Sequence, residues 1–269
     1  MDHLIDLRPE HRACLTELAI QKELYLTLVL KLQELIDTVK PNLEALYAVK
    51  IGHKELELLQ KQAEVAGLKY QMELMIACIN KKEKIDREKI EHIVQQMLQD
   101  YYDEIYQEAE RIENAQNRLA NLMLPAESEA MKKLYYEAAK LLHPDVNPNL
   151  TEEQKQLWNV ISEAYKNGDL QTVRNVTAAI GSMTSSKDEI YEYDTLKAQV
   201  ILFKERNKLL LEQITVVQAE FPFTFSERIH NKEWVKSEYR VTDCKMQELN
   251  ETAKKYLDYI ELMTENYHE

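Results

Sequence analysis

Apolar residues recur every three to four positions along most of the chain, a spacing that places them on one face of an α-helix. The first such stretch covers residues 10–38, and Pro41 is expected to interrupt it. A second stretch covers 53–80. A third, over 87–123, follows Asp86, whose side chain suits a helix N-cap, and keeps heptad-like spacing throughout. A helix of that length spans about 55 Å and needs another long helix beside it.

Shorter helices are predicted in the middle of the chain, after Pro125 ends the third stretch. They cover 128–142, 151–166 and 169–180. Thr151 and Gln154 have the spacing of a capping box at the start of the second of these helices, and Asp169 can cap the last one. Because such short helices are not stable alone, we expect them to pack on one another.

Two long helices are predicted after a small polar linker at 181–185. They cover 186–220 and 226–267. Capping boxes are expected to open them at Ser186-x-x-Glu189 and Thr224-x-x-Glu227. Since long helices joined by a short loop usually lie antiparallel, we expect these two to form a hairpin, with helix 87–123 as a candidate third partner.

The whole pattern predicts an all-α fold, in which long antiparallel helices form a coiled-coil-like bundle around an embedded hairpin of short helices. Composition agrees, because four Gly and six Pro among 269 residues are too few for the turns of a sandwich, a barrel or a doubly wound sheet. We expect three regions. They are an N-terminal long-helix region over 1–124, a short-helix region over 125–182 and a C-terminal antiparallel hairpin over 186–269.

The charge pattern bears on the classes of partner. The net charge is −13 and is spread along the chain, without a basic stripe or a charged tail. Nucleic-acid-binding proteins usually carry a basic surface, so we expect no nucleic-acid partner. A basic amphipathic helix is also missing, and no uninterrupted apolar run approaches 18 residues, so we expect no membrane partner.

The cysteines favour a reducing compartment. Cys14, Cys78 and Cys244 are odd in number and far apart, which fits neither a disulfide framework nor a zinc site. The first ten residues lack the basic start and apolar run of a signal peptide. We therefore expect a cytoplasmic protein without a metal site or a cofactor. Sequence motifs of phosphate loops, serine hydrolases and zinc proteases are missing, so we do not expect an enzyme.

The most informative segment is 131–166, which consists of two short amphipathic helices joined by a stiff polar loop. Pro144 and Pro148 fix their own φ angles and restrict the residues before them, so the loop has few conformations. Asp145 has no obvious local lysine partner and is expected to point to solvent. A carboxylate held on a rigid loop suits recognition by an arginine of a partner, because little entropy is lost on binding.

These residues carry a resemblance. His143-Pro144-Asp145 follows a helix that ends in Ala-Ala-Lys-Leu-Leu, and the next helix has an aromatic-x-x-Ile-x-x-Ala-Tyr face. That face consists of Trp158, Ile161, Ala164 and Tyr165. The segment resembles the J domain of the DnaJ co-chaperone family over about 45 residues, roughly 125–170. The region over 125–182 is therefore expected to be J-domain-like.

The resemblance implies a function without an active site. J domains dock on a DnaK-type chaperone and stimulate its ATPase, which biases a conformational equilibrium in the partner. By this resemblance, Asp145 contacts a chaperone arginine, Pro144 holds the loop and His143 orients it. Three lysines of the preceding helix add electrostatic attraction, Lys132, Lys133 and Lys140. The long helices then serve an unidentified client or partner, and they offer surfaces through which copies of the chain could form a homo-oligomer.

The segment also departs from the family's pattern. Tyr136, Glu137 and Leu141 occupy positions where basic or polar residues are common in the family. The Tyr-x-x-Leu-Gly signature of the family's first helix is missing, and residues 115–124 are expected to take the place of that helix.

An alternative function belongs to another class, a structural or adaptor coiled-coil protein that keeps a degenerate J domain as a packing module. In that case His143 ends a helix and Asp145 makes an Asx turn, with no role in binding. Exposure discriminates between the two functions. A working loop needs residues 143–145 open to solvent and the lysine face of helix 128–142 uncovered, whereas a packing module has that face buried by the long helices.

Overall fold

The computed structural model describes residues 8–180 and 192–266 of the chain. The described residues form α-helices, two π-helical segments and two 3₁₀ turns, and no strand occurs among them, so the predicted all-α class is confirmed. The α-helices are α1 Pro9–Glu34, α2 Lys40–Tyr47, α3 His53–Lys81, α4 Arg87–Met97, α5 Gln99–Ala120, α6 Pro125–Leu142, α7 Glu152–Lys166, α8 Leu170–Ile180, α9 Tyr193–Ala219 and α10 Lys232–Asn266. The predicted linker at 181–185 and the box at Ser186 and Glu189 lie outside the described residues.

The described chain divides into two compact units, each assembled from two separate segments. The first comprises Met1–Pro41 and Leu122–Thr224, and the second comprises Asn42–Asn121 and Phe225–Glu269. This division differs from the three consecutive regions that the sequence predicts. The reason is that α1 pairs with α9 and α3 pairs with α10, so helices from opposite ends of the sequence complete each unit.

The pairing of the two long C-terminal helices was predicted wrongly. Helix α9 packs along α1 in the first unit, and α10 packs along α3 in the second unit. Each long helix has an apolar stripe that must be covered, but the stripe does not specify which helix covers it. The short connection between α9 and α10 is therefore not enough to predict which helices they pack against.

In the first unit, α6, α7 and α8 pack on one another around a core of their own. The core residues are Met131, Tyr135, Ala138, Leu142, Ile161, Ala164, Val173, Val176 and Ile180. Two helix starts are as predicted. Thr151 and Gln154 form a complete capping box at α7, and Asp169 accepts the Thr172 N–H at 3.0 Å at the start of α8. The chain turns between α7 and α8 at Gly168, whose φ of +73° favours glycine because most other residues are strained there.

The rest of the first unit consists of α1 and α9, which share a second core with the end of α6. This core consists of Leu18, Tyr25, Leu26, Ala139, Val146, Leu196, Val200 and Phe203. Buried Asn207 of α9 donates two hydrogen bonds to Gln21 of α1, at 3.1 Å to its carbonyl and 2.9 Å to its side-chain oxygen. Because the buried Asn207 nitrogen finds its acceptors only on Gln21, these bonds favour one position of α1 along α9.

The second unit places α3 between α10 and α5. A small core in this unit consists of Ala45, Ala48, Ile112 and Ala115. Of residues 115–124, the predicted replacement for a J domain's first helix, 115–120 belong to α5 and the second unit, whereas Met123 belongs to the first unit and packs against the core of α6, α7 and α8. In the first unit, α8 is the helix that packs against both α6 and α7.

Two predicted interruptions differ from the structure. Pro41 does not end the helical path, which continues into α2 directly from the π-helical segment before it, with Lys40 in helical angles and its N–H bonded to the Leu35 carbonyl. The π-helical segments Leu35–Val39 and Ala48–Gly52 flank that helix. The predicted helix 87–123 is instead two helices, because Leu98 has non-helical angles (φ −94°, ψ 3°) and its side chain is buried. Asp86 caps α4 as predicted, accepting the Lys89 N–H at 3.1 Å.

The last helix begins later than the box at Thr224 and Glu227 predicts. The 3₁₀ turns Phe223–Phe225 and Arg228–His230 precede it, and Asn231 is its cap. The Asn231 side-chain oxygen accepts the Glu233 N–H at 2.9 Å. Within the second unit, Ile229 is fully buried and its carbonyl accepts a hydrogen bond from Lys50. These contacts hold residues 228–230 in a tight turn rather than a helix.

Candidate functional site

The His-Pro-Asp loop begins where α6 ends. The His143 N–H makes the last helical hydrogen bond, at 2.9 Å to the Ala139 carbonyl, and His143 itself is extended (φ −69°, ψ 122°). This conformation follows from Pro144, which disfavours helical angles in the residue before it. The His143 carbonyl then accepts the N–H groups of Val146 and Asn147 at 3.2 and 3.0 Å. The loop is thus a tight, internally bonded corner between α6 and α7.

His143 is the buried anchor of the loop, with 7% of its surface exposed. Its ring meets those of Trp158 and Tyr25 at edge-on angles, with centroid distances of 4.9 and 6.2 Å. Its Nδ1 accepts the Asp145 N–H at 3.2 Å. Burial lowers the pKa of His143, and the charge of Asp145 only partly opposes this effect. The ring is therefore neutral at pH 7.

Pro144 and Asp145 are exposed at the tip of the corner. Asp145 nevertheless has a partner, because the Tyr25 hydroxyl of α1 donates a hydrogen bond of 2.6 Å to its carboxylate. Burial first, and then the bond to Asp145, raises the pKa of Tyr25 to about 12. The hydroxyl therefore remains a donor at neutral pH. Lys22 of α1 donates to the Val146 carbonyl at 3.1 Å, one residue further along the loop.

Lys140 of α6 is paired with α1. Its ammonium lies 2.9 Å from Glu23 and 4.7 Å from the centre of the Tyr136 ring. The Tyr136 hydroxyl donates to the same Glu23 carboxylate at 2.6 Å. The bond from Lys140 first, and then the bond from Tyr136, lowers the pKa of Glu23, while the bond to Glu23 raises the pKa of Lys140. The pair is charged at neutral pH.

The other two lysines differ from each other. Lys132 forms an ion pair with Glu34 near the C-terminal end of α1. Lys133 is exposed and has no ion-pair partner in the described part of the chain. We call the set of Lys132, Lys133, Lys140 and residues 143–145 the His-Pro-Asp face. The structure brings all of these residues to α6 and its C-terminal loop, and α1 contacts four of the side chains, those of Lys132, Lys140, His143 and Asp145.

The residues of α1 at this face were missed by the sequence analysis. Tyr25, Glu23 and Glu34 lie more than 95 positions before their partners. Tyr25 belongs to the core that α1 shares with α9, and the two glutamates lie on the more polar side of the helix. Nothing local in the sequence indicates that any of the three contacts the loop or α6.

The aromatic face of α7 packs against α6. The Tyr135 ring stacks on that of Tyr165 at 4.1 Å and on that of Trp158 at 5.6 Å. The Tyr135 hydroxyl donates to Ser162 at 3.2 Å. These contacts fix α6 against α7 and so determine where the loop between them lies.

Comparisons with protein-family models, curated proteins and solved structures find no match for this chain. Within residues 8–180 and 192–266, no group of three His, Cys, Asp or Glu side chains is arranged to hold a metal ion. No helix in the same ranges combines the length and the apolar character needed to cross a membrane.

Proposed function

We propose that the hairpin of α6 and α7 docks on a DnaK-type chaperone through its His-Pro-Asp loop and stimulates the ATPase of that chaperone. The observation that carries this proposal is the division of roles within the loop. His143 is buried and bonded, whereas Pro144 and Asp145 next to it are exposed at the tip of the corner. This arrangement presents a carboxylate to a partner on a support that is already ordered.

Asp145 is chemically suited to the role. A partner arginine can replace the single hydrogen bond from Tyr25 with two charge-assisted ones, because the guanidinium group matches a carboxylate in geometry. The loop is fixed by His143 and by its own backbone bonds, so its ordering adds little to the entropic cost of binding.

The lysines support the same partner class. Lys132, Lys133 and Lys140 project from one helix of a chain whose net charge is −13. Each of these lysines can attract a carboxylate of an acidic partner surface, although the helix is neutral overall because it also carries Glu127, Glu129 and Glu137. The helical remainder of the chain would then bring the chaperone to a client or a complex.

A second candidate function is the structural or adaptor protein with a degenerate J domain. It is favoured by one specific observation, the contacts that α1 makes to Lys132, Lys140 and Asp145. Tyr136 supports it as well, because this residue occupies a position that is often basic in the family and bonds to α1 through Glu23. Here the hairpin would serve as a packing surface for the long helices.

The test is single-turnover ATP hydrolysis by the DnaK-type chaperone of the source organism. The wild-type chain and Asp145→Asn are compared, with Asp258→Asn as the matched control, since Asp258 is an exposed aspartate of α10 in the other unit. Docking predicts stimulation that is lost in Asp145→Asn and kept in Asp258→Asn. A lack of stimulation by the folded wild-type chain and by the α1 variants described below would overturn the proposal and favour the structural protein.

A further inference from the structure

We propose that helix α1 is an intramolecular occupant of the His-Pro-Asp face, so that a chaperone can dock only when the contact between α1 and α6 opens. This inference rests on the proposed function, because it concerns the regulation of the same face. On this view, the contacts of α1 with Lys132, Lys140 and Asp145 define a closed state in which the docking face is covered.

The contacts of α1 match the chemistry that a docking partner would offer. Glu23 and Glu34 present carboxylates to Lys140 and Lys132, as an acidic partner surface would. Tyr25 donates a hydrogen bond to Asp145, in the place where a partner arginine would donate. A partner and α1 therefore compete for the same lysines and the same carboxylate.

The two cores of the first unit allow such an opening. One core lies within α6, α7 and α8, and α1 packs mainly along α9. The two assemblies meet where Ala139, Val146, Tyr136 and Trp158 contact the core shared by α1 and α9. They also meet where Leu30 of α1 packs against the core of the short helices and where Tyr25 contacts the His143 ring. Separation of α1 and α9 from the hairpin therefore leaves the three-helix core and the pairing of α1 with α9 in place.

The two ion pairs between α1 and the His-Pro-Asp face are partly exposed to solvent, so other charged groups can replace them readily. Lys140 and Glu23 are 43% and 51% exposed, and Lys132 and Glu34 are 42% and 30% exposed. Ion pairs at such exposure contribute little individually and are screened by salt. A partner that makes several such bonds at once can displace them.

The experiment weakens these ion pairs without changing the shape of α1. The variant Glu23→Gln/Glu34→Gln removes both charges, and Glu17→Gln is the matched control, because Glu17 pairs with Lys204 of α9 at 2.8 Å, away from the loop. The concentration that gives half-maximal ATPase stimulation is measured for each protein. We expect the double variant to need about five-fold less protein than wild type, which corresponds to about 1 kcal/mol, and Glu17→Gln to behave as wild type.

A second measurement does not depend on the chaperone. Val146→Cys places a thiol in the surface that opening would expose, and its labelling rate by a thiol reagent reports the open fraction. We expect labelling about five-fold faster when Glu23→Gln/Glu34→Gln is added. Cys14 is an internal control, because it packs against the core that α1 shares with α9 and should label at an unchanged rate.

The outcomes separate the two proposals. Unchanged labelling and equal stimulation by the double variant and wild type would overturn the role of α1 and leave chaperone docking in place. Faster labelling without ATPase stimulation by any variant would overturn chaperone docking while retaining the opening of α1. Both proposals would be supported if Glu23→Gln/Glu34→Gln increased the labelling rate and the ATPase stimulation. Adding Asp145→Asn should then abolish the stimulation and leave the labelling rate unchanged.

Discussion

The hydroxyl of Tyr25 and the carboxylate of Asp145 are joined by a hydrogen bond of 2.6 Å, although the two residues are 120 positions apart in the sequence. Tyr25 is buried, and its ring meets those of His143 and Phe203 edge-on. One side chain of α1 therefore contacts both the buried anchor and the exposed carboxylate of the loop.

Replacing Tyr25 with Phe should separate the hydrogen bond from the packing. The ring contacts to His143 and Phe203 remain, and Asp145 is exposed enough to bind water instead. We expect the free energy of unfolding to fall by about 1 kcal/mol, measured by urea denaturation. Tyr106→Phe is the control, because this tyrosine is 69% exposed and its loss should change little. Equal stability of both variants would show that water replaces the Tyr25 hydroxyl without loss.

The neutral state of His143 should make stability depend on pH. Burial lowers the pKa of His143 below its usual 6.5, so the unfolded chain takes up the proton first as the pH falls. The stability that the neutral ring contributes is therefore present above pH 6.5 and is lost as the pH falls below it. We expect the urea midpoint to drop between pH 7.5 and pH 5.5 in the wild type and in His92→Gln, which removes an exposed histidine.

The drop should be smaller in His143→Gln. Glu23 and Asp169 do not interfere, because their pKa values are lowered and their protonation destabilises the fold only at more acidic pH. An equal drop in His143→Gln and wild type would assign the pH dependence to other groups.

Two neighbouring leucines at the end of α6 should respond differently to truncation. Leu142 is fully buried in the core of α6, α7 and α8, whereas Leu141 is 37% exposed. We expect Leu142→Ala to lower the free energy of unfolding by about 3 kcal/mol, because it leaves a cavity among packed side chains. Leu141→Ala should cost less than about 1 kcal/mol. Similar losses in circular-dichroism melts would contradict the described orientation of α6.

In the second unit, Gly67 and Leu98 should be coupled. A Cβ at Gly67 would lie 3.1 Å from a methyl group of Leu98, which is buried at the break between α4 and α5. We expect Gly67→Ala to destabilise the wild type, because Leu98 must move. In the Leu98→Ala background the same change should stabilise by up to about 1 kcal/mol, the helix propensity that alanine gains over glycine.

A double-mutant cycle measured by urea denaturation checks this change of sign. The same effect of Gly67→Ala in both backgrounds would show that Leu98 yields without cost.

Local features of the fold could be predicted from the sequence, since their causes are local. Asp86 and the Thr151–Gln154 box act on backbone groups three positions away, and the structure has both caps. The stop of α6 at His143 follows from Pro144 in the same way. The break at Leu98, within the predicted helix 87–123, is a local feature that the sequence did not predict. Leu98 continues the apolar pattern, yet its backbone leaves the helical angles while its side chain is buried close to Gly67.

Features that depend on distant partners could not be predicted. The apolar stripe of α9 indicates that one face is buried, but α1 and α10 are equally suitable covers by pattern alone. The same holds for the candidate site. The sequence singled out Lys132, Lys140 and Asp145, whereas their partners Glu34, Glu23 and Tyr25 had to be seen in space.

The discontinuous units have a consequence for biosynthesis. About 160 residues separate the end of α1 from the start of α9, and about 150 separate the end of α3 from the start of α10. At roughly 5–20 residues per second, α1 and α3 leave the ribosome about 8–30 seconds before their partner helices exist. Neither unit can be completed until nearly the whole chain has been translated. Throughout that interval α1 lacks the cover of α9, and α3 lacks the cover of α10.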